Sequence, residues 1–127
     1  MKKLILMLML CCLASKMQAM ERHDVVSMSS SVKVDGVWSE WAEPVFTTGL
    51  VASVTETMVS INTATPQLYT IIKDSFEYNH DSNYVYKTWN VIDINGLIAS
   101  MSTIYKNSRL IYIYLEYGDA RIIYQVR

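Results

Sequence analysis

The sequence is poor in the residues that staple a chain or mount chemistry on it. Its two cysteines, Cys11 and Cys12, both lie in the apolar run from Leu4 to Ala14. Beyond residue 19 there is no cysteine, which excludes a disulfide framework or cysteine-ligated metal there. The two histidines, His23 and His80, form no H-x-H or H-x-x-x-H spacing, and no metal site is expected. Glycines stand only at 36, 49, 96 and 118, which cannot make a phosphate loop, and no G-x-S-x-G elbow exists for a serine nucleophile. "NHDSN" at 79–83 carries oxygen atoms without the D-x-D-x-D-G spacing of a calcium loop. Scattered carboxylates leave a cryptic hydrolase as a third reading with no motif behind it. The expectation is a protein with no catalytic centre, metal or cofactor.

Long hydrophobic runs are also missing. The first twenty residues, MKKLILMLMLCCLASKMQAM, set two lysines before a short apolar run and a polar stretch ending in Ala19, the layout of a secretory signal peptide. A membrane-spanning helix needs about 20 apolar residues, so this run is too short, and no second one follows. The division expected is a signal-peptide helix at 1–19 and one domain at 20–127, exported to the periplasm or the exterior. Neither cysteine follows the small residue of a lipoprotein signal. Losing Lys2, Lys3 and Lys16 from 11 basic residues leaves eight against 12 acidic ones, a net charge of −4. Such a surface argues against nucleic acid or an anionic membrane as partner.

What is present is alternation. From Asp24 onward short apolar and polar residues alternate between turn signals at intervals of eight to twelve positions, and no stretch keeps a helical period. Strands are predicted at 25–34, 45–54, 58–62, 68–73, 84–93, 97–105, 110–117 and 120–126, with the N-terminal "MERHD" frayed. Asn95-Gly96 predicts a two-residue type I′ hairpin, and Gly118-Asp119 a two-residue type II′ one. The second hairpin sets Glu116 opposite Arg121. It divides a core face (Ile111, Ile113, Leu115, Tyr117, Ile122, Tyr124, Val126) from a wetter face carrying Tyr112, Tyr114 and Ile123. The fold class is all-β: an antiparallel meander of seven or eight strands forming a small barrel or a two-layer sandwich. "SFEYNHDSN", 75–83, is the longest polar interruption and the expected functional loop.

The binding potential lies in aromatics. All nine tyrosines fall between Leu68 and Val126. Tyr84 and Tyr86 share one side of their strand, as do Tyr112 and Tyr114. Phenol rings with a polar tip suit contact with protein or carbohydrate, although they also simply cover sheet faces. Trp38 and Trp41 stand in "GVWSEWAEP", 36–44, between Asp35-Gly36 and Pro44, an irregular connector expected to plug one end of the sheet assembly with two indoles.

That stretch resembles the WSXWS box of class I cytokine receptors, whose tryptophans stack with arginines of a neighbouring strand. The likeness ends after nine residues. No domain precedes the box, Arg22 is the only arginine upstream, and the receptor disulfides are missing. A second resemblance spans nearly all of 20–127: "GVWSEWAEP", "VASVTETMVSIN", "QLYTII", "TWNVIDINGLIASM" and "LIYIYLEYGDARIIYQV" are similar to small, signal-peptide-bearing, uncharacterised β-proteins of gut Bacteroidetes and their crAss-like phages. This resemblance implies an exported accessory protein with an envelope-directed role. The function expected is therefore binding of an envelope protein or glycan through Tyr112, Tyr114, Tyr84, Tyr86, Trp38 and Trp41. The rival is a lipocalin-like barrel carrying a small apolar ligand.

Overall fold

The computed structural model describes residues 20–127; the expected signal peptide lies outside them. The chain forms β1 (Glu21–Val34), β2 (Val37–Trp38), β3 (Val45–Phe46), β4 (Val51–Val54), β5 (Met58–Ile61), β6 (Gln67–Asp81), β7 (Tyr84–Ile92), β8 (Ile98–Lys106), β9 (Arg109–Glu116) and β10 (Ala120–Val126). All pairings are antiparallel. The meander runs from β4 to β10, and β1 closes it by pairing with β4 along one edge and β10 along the other. The result is a closed barrel of eight strands, not a sandwich. Closure removes the unpaired edges that would otherwise invite aggregation.

The first strand starts earlier than its sequence suggests. "ERHD" is not frayed: Glu21 to Asp24 pair with Val54 to Val51. The return strand is broken instead of continuous over 45–54. It leaves the Asp35-Gly36 turn, where both residues adopt positive φ (51° and 77°), as β2, becomes irregular, and re-forms as β3 and β4 on either side of Gly49.

Two hairpins differ from their sequence prediction. At 93–97 the loop has three residues, and of Asn95 and Gly96 only Gly96 has a positive φ, 83°. Asp93 decides this: its Oδ1 accepts from the backbone N–H groups of Asn95 and Leu97, each at 2.9 Å, and its own N–H donates to the Leu97 carbonyl. The loop at 118–119 does have two residues, with Tyr117 N–H donating to Ala120, but Gly118 stays out of the left-handed region a type II′ turn requires. The Asp119 carbonyl also accepts from Lys33, tying that turn to β1. Two-residue turns with both φ positive lie instead at Asn107-Ser108, 51° and 63°, and at Asp35-Gly36.

The polar stretch at 75–83 is strand as far as Asp81, and only Ser82 and Asn83 form a turn. β6 kinks after Ile72, where Ser75 Oγ donates to the Ile72 carbonyl and accepts from Asn90 N–H, and its register with β7 resumes at Glu77. Residues 76–81 then form an arm reaching past the barrel with both faces exposed. Apolar alternation is a sign of one buried face, so a strand with none carries no such signal.

The interior holds Val25, Val59, Tyr69, Val91, Met101, Ile113, Leu115 and Tyr124, all buried, with the polar Thr103 among them. At the start of β9 the structure departs from the sequence pattern. Leu110 is buried in place of Ile111, because a bulge between β8 and β9 shifts the pairing next to Tyr105. Ile113, Leu115, Tyr124 and Val126 point inward as predicted.

At the turn-bearing end Tyr69 donates to Gln67 and Tyr117 donates to Asp93 Oδ2, at 2.5 and 2.9 Å. Burial, first, and then the Asp93 carboxylate push the Tyr117 phenol up to about 12; burial also raises Tyr69 and Tyr124. These groups favour folding while neutral. Below the ordinary phenol value near 10 their contribution is fully present, and it is lost as pH rises from there through about 12. Urea midpoints should hold steady to about pH 9 and fall beyond about pH 10. Absorbance at the tyrosinate band should show some phenols ionising only as the chain unfolds, and a Tyr117→Phe variant should lose stability less steeply. A midpoint independent of pH up to about 12 would contradict the packing of this end.

Candidate binding site

Register assigns each aromatic named from the sequence to a side of the wall. Tyr86 pairs with Ile104, which pairs with Tyr112; Thr88 pairs with Ser102, which pairs with Tyr114, Ile123 and Ser29 in turn; Glu116 pairs with Arg121, which pairs with Ser31. Their inward neighbours, Met101, Thr103, Ile113, Leu115 and Tyr124, are buried, so these rows line the outside of the barrel. Tyr84 and Tyr86, with ring centroids 6.4 Å apart, stand at the arm end of this outer wall, and Lys106 lies over Tyr84 at 5.7 Å.

Trp38 and Trp41 do not plug an end of the barrel. The connector between β2 and β3 runs beside β1, held by Ser39 N–H to the Val32 carbonyl and Ala42 N–H to the Ser30 carbonyl, both 2.8 Å. Ser29 and Ser31 donate to the carbonyls of Ala42 and Ser39. The serines of "SMSSS" explain why the indoles can lie over the wall: small side chains on the outer face of β1 leave room, and their hydroxyls bind the connector. The guanidinium of Arg121, on β10, sits 4.6 Å from the Trp38 ring and 4.5 Å from the Trp41 ring. Lys33 covers Trp38 at 5.3 Å, and Tyr114 meets Trp41 edge to face at 6.3 Å. The stack therefore reads Lys33, Trp38, Arg121, Trp41, Tyr114.

The two tryptophans thus stack with an arginine, as in the receptor box that this stretch resembles. The arginine comes not from upstream, where only Arg22 stands, but from the last strand. Arg121 is the member of this stack that sequence reasoning does not single out, beyond its place opposite Glu116. The register is as predicted, yet among the described residues no lysine or arginine nitrogen lies within 4.0 Å of a carboxylate oxygen. Glu116 accepts instead from the Tyr114 hydroxyl at 2.9 Å. Burial, then this bond and the Glu116 charge, raise the Tyr114 phenol above its ordinary value. Arg121 Nε is buried with no hydrogen-bond partner, so π faces take the place of a carboxylate around this cation.

Beside the stack lies a groove of about 590 Å³ lined by Ser29, Trp41, Ala42, Glu43, Pro44, Tyr114 and Ile123. Trp41 is 39% exposed along it. Of the six aromatics named from sequence, Trp41 and Tyr114 meet at this groove, Trp38 backs it through Arg121, and Tyr112, Tyr84 and Tyr86 continue the wall toward the arm.

A second depression, about 320 Å³, opens at the arm end of the barrel between Glu21, Val54, Thr55 and Glu56 on one side and Lys87, Trp89 and Tyr105 on the other. Lys87 points inward and lies 4.8 Å from the Tyr105 ring centroid, and Phe76 packs on Trp89 at 5.3 Å. His23 lies in β1 and His80 on the exposed arm, and among the described residues no group of three metal-ligating side chains assembles. No protein-family model, curated protein or solved structure matches the chain.

Proposed function

We propose that the protein acts after export, without catalysis, by binding an envelope or extracellular component through the outer aromatic wall. The observation behind this reading is the stack of Trp38, Arg121 and Trp41 continuing into Tyr114 beside an open groove. Exposed aromatics next to a stacked arginine are the composition of binding hot spots, and here they stand on a rigid, closed scaffold. The resemblance to phage-borne and Bacteroidetes proteins supports an envelope as the place of action.

A Tyr112→Ser, Tyr114→Ser double variant tests it. Both rings are on the outside, so the fold should survive with an unchanged circular dichroism spectrum. Retention of the mature domain on host-cell envelope should fall at least tenfold. Undiminished retention would remove the tyrosine face from the site.

The second reading is a small-ligand carrier, favoured by the closed barrel and the depression at its arm end. Its interior is occupied by Tyr69, Met101, Leu115 and Tyr124, so such a ligand would sit in the mouth against Trp89 and Tyr105 and not in the lumen.

A further inference from the structure

Resting on that reading of the wall, we infer that the groove beside Trp41 takes a neutral sugar ring of an envelope glycan. The donor and acceptor inventory of the groove is lopsided. Ser29 Oγ already donates to the Ala42 carbonyl and Tyr114 Oη to Glu116. The Ala42 N–H is spent on Ser30, and Pro44 has no N–H to offer. The Trp41 indole N–H is the side-chain donor left, whereas the Glu43 carboxylate is exposed on the rim with acceptor capacity at both oxygens. A ligand that satisfies this groove brings hydroxyl donors for Glu43 and an acceptor for the Trp41 indole N–H, and a hydroxyl group supplies both.

Other ligand classes fit less well. A carboxylate or phosphate would meet Glu43 with no cation on the groove lining. An extended peptide adding a strand needs an unbroken row of free backbone groups, and the connector has the N–H and C=O groups of both Ser39 and Ala42 engaged with β1. A polyproline segment presents carbonyl acceptors and would leave Glu43 without a donor. A cationic side chain would pair with Glu43, but Trp41 already lends one face to Arg121, and a second cation on the opposite face would share that ring with the first. A sugar ring suits both halves of the site. Its C–H face packs on the exposed part of Trp41, its hydroxyls donate to Glu43, and a groove of about 590 Å³ has the size of a small-ligand site.

The test uses the mature domain and immobilised host-cell envelope, untreated, treated with metaperiodate to cleave sugar diols, or treated with proteinase K. Periodate should lower retention at least tenfold, and proteinase K should leave it unchanged. Glu43→Gln alters one exposed rim group and should leave the fold intact; it should lower retention of the untreated envelope about tenfold, the scale of a lost hydrogen bond to a charged group. Trp41→Ala should abolish retention, and because it also removes half of the stack, Glu43→Gln is the decisive variant. Binding that survives periodate and disappears with proteinase K would overturn the sugar and point to a peptide occupant, leaving the wall reading intact. Competition by polylysine with wild-type affinity would overturn it in favour of a cation. Retention undiminished in the Tyr112→Ser, Tyr114→Ser variant would instead overturn the wall reading, and the sugar proposal with it.

Discussion

Tyr69→Ala should destabilise the protein by about 3–5 kcal/mol, whereas Tyr69→Phe should cost about 1 kcal/mol. Tyr69 is 1% exposed and packs among the core residues of the barrel. Truncation removes the aromatic body and leaves a cavity that paired strands cannot collapse to fill. The phenylalanine variant keeps the packing and forfeits only the bond to Gln67, which is half-exposed and can rehydrate. Single domains are stable by about 5–15 kcal/mol, so the alanine variant stands near the edge of folding at physiological temperature. Urea unfolding followed by tryptophan fluorescence measures both. The result also bears on function. If Tyr69→Ala cost less than about 1 kcal/mol, the lumen would be loosely filled, and the carrier reading would gain what the wall reading loses.

Arg121→Ala should cost about 2 kcal/mol and release the connector. Each guanidinium–indole contact at these distances contributes about 0.5–2 kcal/mol. The gain is offset in part because the variant no longer buries Nε without a partner. Arg121→Lys should recover little, since an ammonium lacks the flat surface that two indoles can sandwich. The local consequence distinguishes this from a core lesion. Trp41 emission should shift to the red, and a protease should cut within 39–46 while the rest of the barrel resists. A double-mutant cycle of Arg121→Met with Trp38→Leu should return a coupling of at least about 0.5 kcal/mol. Zero coupling would show that the stack contributes only contact area. Retention on the envelope should fall with the loss of the stack, because Trp41 is then free to leave the groove it borders.

The tightness of these two expectations differs for a reason. A buried tyrosine has a single environment, and its truncation is dominated by volume. Arg121 lies half-buried on the outer wall, where water competes for the cation and salt screens it, so its effect should shrink in high salt while that of Tyr69 does not.

Much of the fold was legible because β-structure announces itself over short distances. Alternation at i and i+2, with turn residues between, placed every barrel strand, and the last hairpin could be read down to the pairing of Glu116 with Arg121. The faces of β10 followed from that register alone. The misreadings share a cause as well. Asp93 captures two turn N–H groups, the bulge next to Tyr105 exchanges Ile111 for Leu110, and the arm at 76–81 has no buried face; each is a local departure from alternation enforced by a neighbour.

By itself the sequence determined an antiparallel all-β meander, the places of its hairpins though not their turn types, the inward side of its last strands, and the aromatic residues available to bind. Only the tertiary structure decided that the meander closes, because closure joins β1 to β10 across nearly the whole length of the domain, and no local pattern records such a pairing. That closure brings Ser29 and Ser31 alongside Ile123 and Arg121 and so lays the connector of Trp38 and Trp41 onto an arginine about eighty residues away. A tryptophan pair shows in sequence that rings are available. Which cation they hold, and which face they leave open to a ligand, depends on strands that meet only when the barrel shuts.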